Sequence, residues 1–168
     1  YDTALEKYTV LPSMPAPRMR FGAAIRAGKI YVIGGLVKDS PTGQLKTTFI
    51  YDIATKTWSS GPELTTPRAD TCAAAADDGK IYVVAGYTTG FDTLKSVEVM
   101  DSTATNPKWS TAPDLPEERG DVTCASSGSK VYAIGGYYSL SWDADSFYSS
   151  MFELDSNTAS AWKNMTNM

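Results

Sequence analysis

Short apolar runs recur along this chain at a nearly constant interval. They occupy residues 29–35, 80–86 and 130–136, and each begins with lysine, continues with β-branched and aromatic residues, and ends in small residues. Runs of this length and composition are typical of buried strands. An interval of about 50 residues predicts that one supersecondary unit occurs three times and stacks on its neighbours.

Tryptophans, and proline-rich stretches that lead to an arginine, keep the same interval. The recurring positions are Trp58, Trp109 and Trp162, and residues 12–18, 62–68 and 113–119. Several landmarks in phase indicate that the whole unit is repeated, and not the apolar run alone.

Each unit is predicted to contain four short strands, A to D. In the first unit they lie near residues 20–26, 29–34, 47–53 and 57–59. Ala27-Gly28 and the equivalent Asp78-Gly79 favour tight hairpin turns between strands A and B. No stretch has a sustained helical period with caps, so the sequence predicts an all-β fold.

A double glycine, a tyrosine and a tryptophan at fixed spacing resemble the kelch repeat. In the first unit these residues are Gly34-Gly35, Tyr51 and Trp58; the second unit departs with Ala85 and Met100. The third unit keeps the double glycine but has leucine in place of the tyrosine. The resemblance implies a β-propeller, in which each kelch repeat forms a four-stranded antiparallel blade around a central channel.

The blade count predicts an incomplete ring. Residues 18–60, 68–110 and 119–164 are expected to form three blades, and residues 1–10 are expected to supply strands C and D of a preceding blade. Propellers typically use four to eight blades. We therefore expect the segment, residues 1–168, to be about half of a ring that remaining blades or another subunit would complete.

The composition narrows the function. Acidic residues number 19 against 15 basic residues, which argues against a nucleic-acid partner. The chain has no run of about eighteen apolar residues, so the sequence predicts no membrane span. The chain contains no histidine, which argues against a transition-metal centre or a serine–histidine relay, so no catalytic residue, metal or cofactor is predicted.

Charged residues recur at the start of strand A. Arg18, Arg68 and Arg119 are in phase, and Asp70 and Asp121 follow the latter two. We expect these residues to lie at one mouth of the channel. The favoured interpretation is structural, with arginines bonding carbonyls and carboxylates between blades; the alternative is a site for an anionic or polar ligand.

The two cysteines, Cys72 and Cys124, lie in strand A of adjacent blades. Their registers point them to opposite sheet faces, as a contact between neighbouring blades requires. We favour two small buried thiols, because a disulfide across the blades also demands Cα atoms within about 7 Å.

The loops between strands B and C differ most among the units, and loops on a rigid scaffold often carry function. The candidate binding residues are Tyr87, Phe91, Tyr137, Tyr138, Trp142, Asp143 and Asp145. Asp143 and Asp145 lack the further ligands of a calcium loop. Asn164 begins an N-glycosylation sequon.

These features favour a non-catalytic protein–protein interaction scaffold, with a protein partner bound through the loops. The first alternative is an extracellular structural or glycan-binding propeller in a larger assembly, favoured by the aromatic loop, the sequon and the cysteine pair. The second is a fragment of a galactose-oxidase-like enzyme with its catalytic groups elsewhere. The compartment stays open, with a lean towards the secretory route.

Overall fold

The structure is a computed structural model that describes residues 1, 3–138 and 147–165. It contains three four-stranded antiparallel sheets, each built from consecutive strands. The predicted all-β architecture of four-stranded blades is confirmed. The three sheets do not close into a ring.

The twelve strands follow one another along the chain, four to each blade. The first blade contains β1 (Gly22–Arg26), β2 (Lys29–Ile33), β3 (Thr48–Asp52) and β4 (Thr57–Ser60). The second contains β5 (Cys72–Ala75), β6 (Lys80–Tyr87), β7 (Thr93–Asp101) and β8 (Trp109–Ala112). The third contains β9 (Thr123–Ser127), β10 (Lys130–Ile134), β11 (Met151–Asp155) and β12 (Lys163–Asn164).

Left-handed backbone sets the ends of the first blade's strands. Strand A was predicted from residue 20 but begins at Gly22, because Arg20 has φ 58° and cannot continue a ladder. Strand B ends at Ile33, because Gly34 has φ 65°. The predicted hairpin turn between them is confirmed, with φ 48° at Ala27 and 72° at Gly28.

The strand in the middle of the second blade, β6, is buried on both faces. Ile81 and Val83 pack into the core shared with the first blade, whereas Tyr82 and Val84 pack into the core shared with the third. This alternation follows from the two-residue period of a strand. It explains why the B strands read as unbroken apolar runs rather than as alternating ones.

The inner strands β1, β5 and β9 lie side by side, and backbone hydrogen bonds tie the blades together beside them. The N–H of Gly35 donates to Arg68 O, and the N–H of Gly86 donates to Arg119 O, each at 2.9 Å. A Cβ at the neighbouring Gly34 would lie 2.5 Å from Arg68 O, and Gly34 has φ 65°. Glycine is therefore required where a blade meets the next inner strand.

Each tryptophan fastens the outer strand of its blade to the proline-rich linker before that blade. The indole Nε1 of Trp58 donates to Pro12 O at 2.9 Å, and that of Trp109 donates to Pro62 O at 3.1 Å. Trp162 makes the same bond, to a third proline carbonyl. The common interval of tryptophan and proline in the sequence has this contact as its cause.

The cysteines form a disulfide. Cys72 in β5 and Cys124 in β9 are bonded, with their Cα atoms 5.4 Å apart. The favoured interpretation, two free thiols, was therefore wrong. Neighbouring inner strands bring the opposed side chains within bonding range, a distance that the sequence register alone does not fix.

The segment before the first blade shows little regular structure. Residues 3–6 form a turn, and Lys7 makes a single β-bridge. No named strand occurs among the described residues of 1–10. The predicted C and D strands of a preceding blade are represented there by that bridge alone.

We predict that removing the disulfide destabilises the protein substantially. The bonded cysteines are 52 residues apart, so the bond restricts a long loop of the unfolded chain. The Cys72→Ala/Cys124→Ala double variant should lose about 4 kcal/mol of unfolding free energy, measured by urea denaturation. Wild-type protein treated with reductant is the matched control and should behave like the double variant. Two titratable thiols in native protein, or a midpoint unchanged by reduction, would contradict this prediction.

Candidate functional site

The predicted channel-mouth arginines lie inside the blades instead. The side chains of Arg68 and Arg119 are fully buried, and that of Arg18 is partly buried. Each guanidinium bonds within its own blade, to the carbonyl at the end of strand B: Gly34 O, Ala85 O or Gly135 O. The expected placement at the mouth, and the expected bonding between blades by these side chains, were therefore wrong. The carbonyls of Arg68 and Arg119, and not their guanidinium groups, accept the hydrogen bonds from the preceding blades.

Arg68 makes the fullest set of these bonds. Its Nη1 donates to Ala85 O at 3.0 Å and to Ser96 O at 2.8 Å, and its Nη2 donates to Glu98 Oε1 at 3.0 Å. Burial lowers the pKa of the Arg68 guanidinium, and the negative charge of Glu98 opposes that shift. Glu98 thus supplies the counter-ion for the positive charge that Arg68 places inside the second blade.

Glu98 distinguishes the second blade from the other two. The equivalent arginines lie over aromatic rings, Arg18 over Phe49 at 4.1 Å and Arg119 over Phe152 at 4.8 Å. Glu98 replaces this cation–π contact with an ion pair. The sequence analysis did not identify Glu98 as important. Its position was nevertheless visible, because Glu98 follows Ser96 by two residues, as Phe49 follows Thr47 in the first blade.

Glu98 also holds the linker before its blade. Its Oε2 accepts a hydrogen bond from the N–H of Thr65 at 2.7 Å, and its Oε1 accepts one from the N–H of Thr66 at 3.0 Å. One carboxylate therefore joins β7, the arginine and the linker.

A column of equivalent residues follows the arginines. Arg20, Asp70 and Asp121 all have left-handed φ, 58°, 49° and 51°. The N–H of Asp70 donates to Arg20 O at 2.8 Å, and the N–H of Asp121 donates to Asp70 O at 2.9 Å. Successive blades thus place their side chains at one edge of the inner strands.

A cavity of about 450 Å³ opens at this edge. We call it the Asp70 pocket. All three blades contribute to its walls, which are formed by Arg20, Asp39, Asp70, Tyr87, Phe91, Asp121 and Tyr137. The structure thus brings together two of the predicted mouth residues, Asp70 and Asp121, with three of the predicted loop aromatics.

The pocket is acidic. The Asp70 side chain is 6% exposed, and the nearest cation, Arg20, lies with Nη1 3.6 Å from Asp70 Oδ2. Burial, and then the charge of Asp121, raises the pKa of Asp70 to about 6, whereas Arg20 opposes the shift. An anionic ligand, one of the two interpretations of the mouth, is disfavoured here because like charges repel.

Tyr87 forms the inner wall. Its hydroxyl lies 3.4 Å from Tyr137 O and 3.5 Å from Asp121 Oδ2. Burial, together with the charge of Asp121, raises the pKa of the Tyr87 phenol, so the hydroxyl remains a donor. A side chain at Gly120 would overlap the Tyr87 ring, which explains the glycine between Arg119 and Asp121.

The remaining loop candidates either do not line the Asp70 pocket or lie outside the residues that the structure describes. Tyr138 is partly buried and does not line the Asp70 pocket. Trp142, Asp143 and Asp145 lie outside the described residues. A second cavity, of about 400 Å³, adjoins Asp121 and Tyr137 and is also lined by Phe147 and Tyr148. Arg20 and Asp39 were not predicted as site residues; the signal for Arg20 was its phase with the two aspartates.

Three further observations concern glycosylation, metal binding and membrane spans in the described part of the chain. Asn164 is exposed in the short strand β12, while the threonine of its sequon lies outside the described residues. In the described part of the chain, no three acidic or cysteine side chains cluster in a way that could hold a metal ion. None of its helical segments is long and apolar enough to cross a membrane.

The comparisons with known proteins decide the family. A sequence model of the kelch motif matches residues 17–65 and 70–116, which together exceed half of the chain. The chain belongs to the kelch-repeat family. The third kelch blade lies beyond the matched residues, yet Arg119 and Trp162 make the same bonds there as their counterparts.

Curated kelch proteins match over most of this chain. Kelch-like protein terF of Aspergillus terreus is 32% identical over 143 residues, 81% of this chain and 31% of that protein. Alpha-scruin of Limulus polyphemus is 29% identical over 151 residues, 83% of this chain and 16% of scruin. The chain spans less than a third of the length of either relative.

A solved structure supports the fold. The structure of YjhT superimposes with a TM-score of 0.77 and 21% identity, covering 96% of this chain and 56% of YjhT. At this identity the likeness concerns the kelch propeller architecture alone.

We predict that Glu98→Gln destabilises the protein by about 3–5 kcal/mol, because it leaves the buried Arg68 charge without its counter-ion. Urea denaturation measures the loss. Glu63→Gln, at an exposed glutamate of the linker, is the matched control and should change stability by less than about 0.5 kcal/mol. Glu98→Phe removes the counter-ion and also the acceptor of the Thr65 and Thr66 N–H groups, so it should destabilise the protein at least as much as Glu98→Gln. Equal stability of Glu98→Gln and wild type would contradict the prediction.

Proposed function

We propose that this kelch segment is a non-catalytic scaffold that binds a protein partner at the edge where the Asp70 pocket opens. The pocket carries the proposal: three blades converge on one cavity whose walls combine aromatic rings with carboxylates. Aromatic anchors in concave sites dominate many protein interfaces. Similarity to kelch-repeat proteins supports an interaction module, and the match to terF covers 81% of this chain and 31% of terF.

The construction of the pocket suits binding. Tyr87 ends β6 and forms a β-bridge with Ala69, and Tyr137 forms one with Gly120. Asp70 and Asp121 directly follow the bridged residues Ala69 and Gly120, so the bridges hold them close to the blades. Phe91 projects from a short 3₁₀ turn, Thr89–Phe91, between β6 and β7. Because most of the wall is rigid and only one aromatic side chain lies on a loop, little conformational entropy is lost when a partner binds.

We expect partner binding to depend on Phe91. The Phe91→Ala variant of the full protein should recover a bound protein at least about tenfold less than wild type, because truncating a central aromatic removes a dominant contact. Affinity capture from the source cells, quantified by mass spectrometry, provides the measurement.

Asn106→Ala is the control, since Asn106 is exposed in the turn between β7 and β8 of the same blade and does not line the pocket. It should retain the wild-type partners. The proposal fails if every specifically captured protein is recovered equally with Phe91→Ala and Asn106→Ala, provided that both variants melt like wild type.

The disulfide favours a second candidate, an extracellular structural or glycan-binding propeller within a larger assembly. Disulfides persist mainly in oxidising compartments, and Cys72 and Cys124 are bonded. The exposed Asn164 is open to glycosylation in the same compartments.

We expect the native protein to carry this disulfide when it is purified from its source without reductant. Intact mass should rise by two hydrogens on reduction, and N-glycanase should remove hexose-containing mass that peptide mapping places at Asn164. Asn157 has no sequon and serves as the internal control for unspecific assignment. Reduced thiols together with an unmodified Asn164 would refute the extracellular candidate and leave the scaffold proposal standing.

A further inference from the structure

The Asp70 pocket holds more negative charge than its own residues neutralise. Three carboxylates, those of Asp39, Asp70 and Asp121, line it with a single guanidinium. The Arg20 guanidinium forms ion pairs with two of them: its Nη2 lies 3.4 Å from Asp39 Oδ2, and its Nη1 lies 3.6 Å from Asp70 Oδ2. Among the described residues, Asp121 has no ion pair.

Asp70 presents an unsatisfied oxygen to the cavity. Its side chain is 94% buried, being 6% exposed, and its Oδ2 accepts no hydrogen bond within the described structure. A buried acceptor without a donor carries a desolvation cost. A ligand that brings an N–H donor with positive charge recovers that cost, whereas a neutral or anionic ligand recovers less or none.

The rest of the wall suits the same ligand. The rings of Tyr87, Phe91 and Tyr137 line the cavity beside the carboxylates. An organic cation gains both from carboxylates and from the negative faces of aromatic rings. A small hydrated metal ion would leave such rings unused, and the described residues contain no cluster suited to one.

We propose that the Asp70 pocket binds an organic cation, a guanidinium or a primary ammonium, between the carboxylates of Asp70 and Asp121 and the aromatic wall. The cavity of about 450 Å³ is large enough for an arginine or lysine side chain. This inference rests on the proposed function, because it names the chemistry of the partner group that enters the site.

Binding of the cation should depend on pH. The titratable groups facing Asp70 across the pocket are Arg20, Asp39, Tyr87, Asp121 and Tyr137. Burial and the charge of Asp121 raise the pKa of Asp70 to about 6, so Asp70 gains its proton as the pH falls below that value. A protonated Asp70 no longer attracts a cation, so affinity should decrease as the solution becomes more acidic. The Asp70→Asn variant should lose this dependence.

The test is calorimetric titration of the full protein with Nα-acetylarginine N-methylamide and Nα-acetyllysine N-methylamide. Nα-acetylcitrulline N-methylamide, which has the shape of the arginine probe without its charge, is the matched ligand control. We expect the charged probes to bind and the citrulline probe to bind at least about tenfold more weakly. Spermidine distinguishes the source: stronger binding of spermidine indicates a free polyamine, and stronger binding of the blocked amino acids indicates a side chain of a partner.

Two variants locate the site. Asp70→Asn and Asp121→Asn keep the side-chain volume and remove one charge each, and each should weaken binding of the charged probes at least about tenfold. Asp121 is exposed, so its variant should fold even if the buried Asp70 tolerates no change. Glu63→Gln, outside the pocket, should bind like wild type.

The inference is overturned if neither charged probe binds, if the citrulline probe binds equally well, or if both asparagine variants bind like wild type. Failure here is distinguishable from failure of the scaffold proposal. Partners captured by wild type and lost with Phe91→Ala, but retained by both asparagine variants, would preserve the scaffold and reject the cation.

Discussion

The buried arginines Arg68 and Arg119 each tie two blades together, with the side chain in one blade and the carbonyl bonded to the blade before it. The guanidinium of Arg68 bonds carbonyls of its own blade, while its carbonyl accepts the Gly35 N–H of the preceding blade. A buried guanidinium has to satisfy its donors and its charge. The blades meet the charge requirement differently: Arg18 lies over an aromatic ring, Arg68 pairs with Glu98, and Arg119 has both aromatic rings and the Glu117 carboxylate beside it.

The same junction positions the Asp70 pocket. Left-handed residues at the start of the inner strands bond to one another across blades, so their side chains reach a common edge. The disulfide between β5 and β9 fixes the neighbouring strands on which Asp70 and Asp121 depend. The disulfide and the hydrogen bonds between blades therefore restrain Asp70 and Asp121, whereas Asp39 and Phe91 lie on loops. Preorganised charges of this kind favour selectivity for the charge of a ligand more than gross affinity.

The repeat made the sheets predictable and left the side-chain directions open. The apolar runs identified strands B, and in the second blade the run packs between two cores, as Ile81 and Tyr82 show. The phase of Asp70 and Asp121 placed both at one edge, but the inward turn of Arg68 depends on a guanidinium finding carbonyls that sequence spacing does not reveal. The disulfide depended on a distance between blades. Asp39 belongs to a loop whose path no periodicity determines.

Arg68 and Arg119 each bond to two blades, and this arrangement affects how such proteins gain or lose blades in evolution. A segment of one repeat length carries one arginine and one donor glycine, Gly35 or Gly86, so each copy brings the acceptor for the blade before it and the donor for the blade after it. Duplication of a whole unit would regenerate the same hydrogen bonds at both new junctions without any further substitution. The Gly35-to-Arg68 and Gly86-to-Arg119 bonds already show this interchangeability. Recombination between points that are not equivalent would leave a copy without its arginine or its glycine, which makes the interval of about 50 residues the natural unit of gain or loss.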